Sequence, residues 1–389
     1  MLKDENIIVF SSADWKIGPT SPEHISTNFA KGNRVLFIET FGSRFPAFRP
    51  EHIKRVFKRI INWFRGIKEQ YSRQGRLYIY SPINLMVSYK FCSFINRIIF
   101  LKILKRLIKK LKMENPILYF YLPPPPGIMG NLNEKAIIYH CVDEWSTFGA
   151  GKNKDFLEAE RRLIEDADAV ITANRLLYEK KKPYARRIYQ IYHGVDYDHF
   201  TKEFDKDIPL PPDIKAIPKP IIAIIGAFAD WMDIDLIKFI AQTHKKWSIV
   251  SIGPVESGID INSLSSLGNI YFLGPKVYSE LPNYYRAVDV FIIPFLLNEH
   301  IKYCSPIRLY EHLASGKPVV ATDFPAAREI GQGLIYIALS RQDFVKKIEQ
   351  ALIERDTELR EKRKELAKSN TWEARIEEIS EIIKEVLRK

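Results

Sequence analysis

Short apolar runs alternate with helical patterns along most of the chain, and this alternation stops once and then restarts. The first series predicts strands at residues 7–10, 35–38, 77–80, 117–121, 136–141, 169–172 and 187–191. The second series predicts strands at residues 221–225, 247–252, 270–273, 290–294, 318–321 and 334–337. Strand–helix alternation is typical of parallel sheets covered by helices. We therefore expect an α/β protein with two Rossmann-like, doubly wound domains facing a central cleft.

The break between the two series is rich in proline and lacks a hydrophobic period. Residues 201–219 contain four prolines, a composition typical of a linker. We therefore predict an N-terminal domain at 1–200 and a C-terminal domain at 220–370, which suits a length of 389 residues. An amphipathic helix is predicted at 371–389, and we expect it to pack back on the N-terminal domain.

Basic residues are concentrated in one segment. Residues 44–112 contain 18 Lys or Arg and two acidic residues, in a chain with a net charge of +12. Within them, residues 52–68 and 89–111 show helical periodicity with Lys and Arg between the apolar positions. This pattern favours contact with an anionic membrane surface through residues 50–112; two domain helices with solvated basic faces are the alternative. Nucleic acid is not expected as a partner, because no zinc-finger, RNP or basic-zipper pattern occurs.

The sequence predicts neither a signal peptide nor a membrane-spanning helix. Residues 1–6 are polar, and the most apolar candidate, residues 91–108, is interrupted by Asn, Lys and Arg. The three cysteines (Cys92, Cys141 and Cys304) lie far apart, which suits a reducing compartment and argues against a zinc site. We expect a cytoplasmic protein, peripheral on the inner face of the cell membrane.

The most informative motif begins at Ser305, a good N-cap residue, and Pro306, a good first helical residue. The free N–H groups of a helix N-terminus suit a diphosphate. Arg308 and Glu311 lie three residues apart and share one helix face, so that the arginine is able to bind phosphate and the glutamate ribose hydroxyls. A plain Arg–Glu helix pair is the alternative.

This motif, with the Ala-Ser-Gly-Lys-Pro-Val-Val run that follows it, resembles the donor-nucleotide motif of GT-B glycosyltransferases of the group 1 superfamily. Further segments that resemble the family in order and spacing are residues 167–172, 193–196, 225–227 and 269–275. Residues 141–145 and 226–233 look most like the transferases that build teichuronic acid and exopolysaccharide. Xanthan glucuronosyltransferase is a more distant relative.

The resemblance implies transfer of a hexosyl or uronosyl group from a nucleoside diphosphate sugar, by resemblance a UDP-sugar, to a lipid-linked glycan acceptor in cell-surface polysaccharide biosynthesis. The donor-binding residues it implies are Gly226, Lys276, Ser305, Pro306, Arg308 and Glu311. We expect no cofactor and no metal ion. Of the DxD triplets at 166–168, 196–198 and 233–235, two fit helix or turn contexts, and chance readily produces such triplets in a chain with 47 acidic residues.

Three departures from the family pattern bear on mechanism. Retaining members carry a second glutamate where this chain has Tyr303, and basic residues where it has the segment 228–233. The histidine expected after the fourth strand is replaced by residues 122–126. Tyr303 therefore favours an inverting reaction.

An inverting transfer needs a base for the acceptor hydroxyl. Asp143 is our candidate, because it follows a predicted strand and the related glucuronosyltransferase has its catalytic aspartate at the corresponding point. Asp14 and His24 are alternatives in the first loop, and each of the three residues has an ordinary structural role as its competing interpretation. Two other functions stay open: a non-catalytic, nucleotide-sugar-binding scaffold protein, and a nucleotide-sugar epimerase on the same fold.

Overall fold

The computed structural model describes residues 1–15, 19–40, 68–72, 75–82, 90–147, 153–201 and 209–388. These residues form two compact units. The first unit contains residues 1–192 and 375–389, and the second contains residues 193–374. Each unit is built on one β-sheet with its own helices.

The first unit has an eight-stranded sheet. Its strands are β1 (Asn6–Phe10), β2 (Arg34–Ile38), β3 (Lys68–Ser72), β4 (Gly75–Tyr80), β5 (Ile117–Phe120), β6 (Ala136–Cys141), β7 (Ala169–Thr172) and β8 (Ile188–Gln190). They lie in the order β3-β4-β2-β1-β5-β6-β7-β8, and all neighbours are parallel except β3 and β4. The central strands are near-continuous apolar runs, as expected of strands covered on both faces.

Helices connect the parallel strands of this unit. They are α1 (Ser21–Phe29), α2 (Lys90–Leu111), α3 (Lys154–Asp166) and α4 (Arg175–Lys181). Thr20 and Glu23 form a capping box at the start of α1, where the N–H of Thr20 donates to Glu23 Oε2 at 2.6 Å. The chain ends in a helix whose Glu385 accepts hydrogen bonds from Arg187 and Tyr189, beside β8.

The second unit has a six-stranded parallel sheet. Its strands are β9 (Ile221–Ile225), β10 (Ser248–Ile252), β11 (Ile270–Phe272), β12 (Val290–Ile293), β13 (Val319–Thr322) and β14 (Tyr336–Ala338). They lie in the order β11-β10-β9-β12-β13-β14. The chain runs outward from β9 to β11 and then returns to the other side of β9 as β12. Ligands of open α/β sheets bind at such a reversal, beyond the carboxyl ends of the strands.

The remaining helices are short in the first part of the second unit and longer towards its end. They are α5 (Tyr197–Thr201), α6 (Pro212–Lys215), α7 (Ile234–Thr243), α8 (Asn262–Ser265), α9 (Leu281–Ala287), α10 (Glu299–Lys302), α11 (Ile307–Ala314), α12 (Pro325–Gly331), α13 (Arg341–Ile353), α14 (Thr357–Lys368) and α15 (Trp372–Leu387). From residue 375 onward, α15 belongs to the first unit.

The two α/β units, one with a mainly parallel and one with a fully parallel sheet, confirm the fold class predicted from the sequence. Details differ: β3 was not predicted, and the proline-rich stretch predicted as a linker contains α6 and belongs to the second unit. The helix predicted at 52–68 lies outside the described residues except for Lys68, which begins β3. Of the helices that the structure describes, none combines the length and the apolar character needed to cross a membrane.

Candidate functional site

The turn after β9 lies where the strand order of the second sheet reverses. Gly226 has a φ of +133°, which favours glycine, and its N–H donates to the carbonyl of Ile252 at 2.9 Å. A Cβ added to Gly253 would lie 1.8 Å from the carbonyl oxygen of Gly226. The close approach of these two turns therefore requires glycine, and it fixes the backbone that follows β9.

Helix α11 begins beside this turn. A Cβ added to Gly226 would lie 3.9 Å from Cγ of Arg308, in the first turn of the helix. The N-cap residue is Pro306, which has extended dihedral angles and makes no side-chain cap. The helix thus starts one residue later than predicted, so Ser305 is not the N-cap. Its buried Oγ has no hydrogen-bond partner among the described residues.

Arg308 and Glu311 form an ion pair on one face of α11. Arg308 Nη1 lies 2.5 Å from Glu311 Oε2, and the hydroxyl of Tyr285 donates to the same oxygen at 3.2 Å. The Glu311 side chain is 3% exposed and that of Arg308 33%. Burial opposes the charge of Arg308, but the carboxylate of Glu311 raises its pKa overall. A buried, fixed carboxylate thus lies beside a partly exposed guanidinium.

A cavity of about 260 Å³ opens next to this ion pair. Its walls come from the ends of β9 and β12, from the turn at Gly226, and from α10 and α11. Most of the lining is apolar. The lining side chains with a polar group are Trp231, His300, Cys304, Arg308 and His312. Glu311 does not line the cavity, so Arg308 is the member of the ion pair that borders it.

The two histidines of the cavity favour the neutral form. His312 is 1% exposed and stacks on Phe291 at 4.2 Å; burial and then the charge of Arg308 lower its pKa well below the usual value. Burial also lowers the pKa of His300, against an opposing effect of Asp230. Among the described residues that line the cavity, Arg308 is therefore the one cation at neutral pH.

Lys276 does not line the cavity. Its Nζ lies 2.6 Å from Asp213 Oδ2, in α6, and 5.2 Å from the ring centroid of Tyr284. Burial opposes the charge of Lys276, but the hydrogen bond to Asp213 raises its pKa. The predicted donor residues that the structure brings together are Gly226, Ser305, Pro306, Arg308 and Glu311.

Asp143 follows β6 at the carboxyl edge of the first sheet. It is half-buried, and burial raises the pKa of its carboxyl group to about 6. The thiol of Cys141 donates to its backbone carbonyl at 3.3 Å. The side chain is therefore ionised at neutral pH and is a stronger base than an exposed aspartate.

The residue after Asp143 belongs to a buried ionic cluster that sequence reasoning missed. Lys181 Nζ, from α4, lies 3.1 Å from Glu144 Oε2 and 2.8 Å from Glu160 Oε1. The hydroxyl of Tyr139 donates to Glu160 at 2.8 Å. The cluster ties β6, α3 and α4 together and fixes the backbone just beyond Asp143.

The alternative bases lie at the same edge of the first sheet. Asp14 is half-buried and follows β1, and His24 is 8% exposed in α1. Because β5 alone separates β1 from β6, Asp14 and Asp143 follow strands two positions apart. Sequence reasoning also missed Glu39, a buried carboxylate after β2 that accepts from the N–H of Trp15 at 2.9 Å.

Residues 219–354 match the family model of glycosyl transferases group 1. The chain contains a group 1 glycosyltransferase domain. The matched residues include the turn at Gly226, the cavity and the Arg308–Glu311 pair, so the features described above lie within that domain. The predicted class of enzyme, a glycosyltransferase, is confirmed.

Comparisons with whole proteins agree. The chain is 26% identical over 277 residues to TuaH of Bacillus subtilis (strain 168), named as a teichuronic acid biosynthesis glycosyltransferase; the match covers 67% of this chain and 69% of TuaH. Sucrose-phosphate synthase from Thermosynechococcus elongatus superposes with a TM-score of 0.69 at 14% identity, covering 99% of both chains. HepE of Anabaena, solved with UDP and glucose, superposes with a TM-score of 0.65 at 14% identity, covering 98% of this chain and 100% of HepE. These similarities confirm the GT-B fold.

Proposed function

We propose that this group 1 glycosyltransferase moves a sugar from a UDP-sugar to a lipid-linked glycan acceptor in cell-surface polysaccharide biosynthesis, with inversion at the anomeric carbon. The main structural support for this proposal is the Arg308–Glu311 pair beside the turn at Gly226. The name of TuaH supports a role in polysaccharide synthesis, and the UDP bound to HepE supports the choice of nucleotide.

The donor binds along α11. The ribose hydroxyls donate to the buried carboxylate of Glu311, which Tyr285 and Arg308 hold in place. The diphosphate lies against the guanidinium of Arg308 and the first N–H groups of the helix. Ser305 Oγ, buried and without a partner among the described residues, provides a further donor at this helix end.

Positive charge from the protein stabilises the leaving diphosphate in this proposal, without a cofactor. Arg308 supplies a full charge and the N-terminus of α11 a partial one. Lys276 contributes only if it exchanges Asp213 for a phosphate oxygen. Among the described residues, no three His, Cys, Asp or Glu side chains are grouped to hold a metal ion, and none is required by this scheme.

Asp143 takes the proton from the acceptor hydroxyl as that oxygen attacks the anomeric carbon. The raised pKa, about 6, keeps it ionised at neutral pH and makes it a better proton acceptor than an exposed aspartate. The buried Lys181 cluster limits movement of the adjoining backbone. Asp14 and His24 are the alternative bases at the same edge of the sheet.

The acceptor is lipid-linked, and the enzyme works on the inner face of the cell membrane. Helix α2 supports this part of the proposal. Its Phe100 and Leu104 are buried, whereas Ile98 is 37% exposed and Ile99 44%. Among the side chains described from residue 98 onward, the exposed basic residues of the helix are Lys102, Lys105, Arg106, Lys109 and Lys110. Basic and apolar side chains on one exposed surface suit an anionic headgroup layer.

Transfer itself tests the proposal. The purified chain is incubated with radiolabelled UDP-sugars and with lipid-linked glycans extracted from bacterial membranes. Label that moves into the lipid fraction, and fails to do so with Glu311→Ala, supports it. Donor conversion without a labelled lipid would instead favour the epimerase, and nucleotide binding without any conversion would favour the scaffold protein.

A further inference from the structure

The cavity beside Arg308 has a defined place along the proposed donor. A nucleoside diphosphate sugar is linear in its connectivity, with the diphosphate between ribose and sugar. Glu311, the proposed ribose ligand, does not line the cavity, whereas Arg308, the proposed diphosphate ligand, does. The group that enters the cavity therefore lies on the far side of the diphosphate from the ribose, and this group is the sugar to be transferred.

The charges of the cavity restrict which sugar it accepts. Apart from Arg308, no described side chain that lines the cavity is positively charged at neutral pH, because His300 and His312 favour the neutral form. Arg308 is already paired with Glu311 and faces the diphosphate in the proposed complex. A carboxylate on the sugar would thus enter an apolar cavity without a cationic partner, which is costly.

The polar atoms of the cavity suit hydroxyl groups instead. Besides Arg308, the polar side chains that line the cavity are Trp231, His300, Cys304 and His312, and both histidines favour the neutral form. A hydroxyl pairs with either tautomer of a neutral imidazole, since it both donates and accepts, whereas a carboxylate only accepts. Apolar walls with a few polar groups are typical of sites for small uncharged ligands.

We infer that the sugar transferred by this enzyme is an uncharged hexose and not a uronic acid, and that the cavity lined by His300, Cys304 and His312 makes this selection. The inference rests on the proposed function, because it needs the donor to lie along α11. It distinguishes the two classes of transfer, hexosyl and uronosyl, that the sequence left open.

Matched donors that differ only at C6 test the inference. Dissociation constants of the full chain are measured for UDP-glucose against UDP-glucuronate and for UDP-galactose against UDP-galacturonate, with UDP as reference. We expect the dissociation constant of the uronate to exceed that of its hexose roughly 10-fold or more in at least one pair, because its buried charge has no partner. In neither pair should the uronate bind more tightly than the hexose. Uronates that bind as tightly as their hexoses in both pairs would overturn the inference.

A cation placed in the cavity tests the location. His300→Arg should narrow the hexose preference several-fold, whereas His244→Arg, the same change beside the exposed Glu349, should leave it unchanged. Cys304→Lys replaces His300→Arg if that variant does not fold. If a folded cavity variant prefers hexose over uronate donors as strongly as the wild type does, this cavity does not make the selection. If UDP itself fails to bind, the proposed donor site is wrong and the inference falls with it; if UDP binds, the two can be judged separately.

Discussion

Arg308 and Tyr285 donate to the same carboxylate oxygen, Oε2, of Glu311. Both donors therefore hold one side of the carboxylate, and the other oxygen is left to a ligand. Tyr285 reaches Glu311 from α9, and Arg308 reaches it from one turn earlier on α11. A buried acceptor held by two donors is organised before a ribose arrives, which reduces the entropy lost on binding.

Replacement of Arg308 should mainly slow turnover. If its guanidinium stabilises the charge that develops on the diphosphate, Arg308→Ala should lower kcat by ~10²–10³. Arg308→Lys keeps the charge but loses the fork of N–H donors. Its kcat should therefore lie between those of the wild type and of Arg308→Ala. Steady-state kinetics of sugar transfer measure this effect, with Arg355→Ala, an exposed arginine, as the control. An unchanged kcat in Arg308→Ala would exclude this role.

The pH dependence of transfer should report Asp143. A base must be deprotonated to work, and burial raises the pKa of Asp143 to about 6. The rate should therefore be level above pH 6 and should decrease about tenfold per unit well below it. Asp143→Asn should abolish transfer at every pH, whereas Asp14→Asn should not.

The same variant separates catalysis from folding. Because the pKa of Asp143 in the folded protein, about 6, lies above the ordinary aspartate value of 3.8, ionisation of Asp143 destabilises the fold as the pH rises from 3.8 to about 6. Asp143→Asn should thus be at least as stable as the wild type above pH 6, in urea unfolding. Full activity in a folded Asp143→Asn would transfer the role of base to Asp14 or His24.

Lys181 should be important for stability. Its side chain is 6% exposed and lies between Glu144 and Glu160, so Lys181→Met leaves two buried carboxylates without their cation. Breaking a buried ion pair in this way costs about 3–5 kcal/mol, which chemical denaturation would detect. Lys182→Met is the control, because this neighbouring lysine is exposed. Equal losses in both variants would contradict a special role for the cluster.

The main features of the fold and part of the site could be predicted because they depend on residues that lie close together in the sequence. Apolar runs marked the strands that are buried on both faces, and the spacing of Arg308 and Glu311 marked one helix face. Strand β3 was missed because an edge strand of composition Lys-Glu-Gln-Tyr-Ser has no apolar alternation; backbone pairing with β4 is what holds it.

Features made by distant segments could not be predicted in this way. The cavity brings together Trp231, His300 and His312 from separate parts of the second unit, and the buried cluster joins Glu144, Glu160 and Lys181 in the first. In a sequence, these residues look like ordinary exposed charges or isolated aromatics. Lys276 was predicted to bind the donor, but it pairs with Asp213 of α6. This helix lies in the stretch that was predicted as a linker because of its prolines, although proline also suits a first helical turn.

The exposed surface of α2 should bind anionic membranes. Replacement of Lys102, Lys105, Arg106 and Lys109 by glutamine removes four charges that lie outside the core. We expect less co-sedimentation with liposomes that contain anionic lipid, and a smaller dependence on salt. A matched variant at Lys245, Lys246, Lys346 and Lys347, in the second unit, is the control. Equal binding by wild type and the α2 variant would exclude this surface.

Nucleotide binding at Glu311 is the most direct test of the central claim. Thermal stability is measured with UDP, GDP, ADP and dTDP for wild type, for Glu311→Ala and for Glu377→Ala, an exposed glutamate of α15. A ligand at 100 times its dissociation constant adds about 2.7 kcal/mol of stability. The account predicts that UDP stabilises wild type and Glu377→Ala but not Glu311→Ala. Two results would contradict a donor site at Glu311: UDP stabilises all three proteins equally, or none of the nucleotides stabilises any of the proteins.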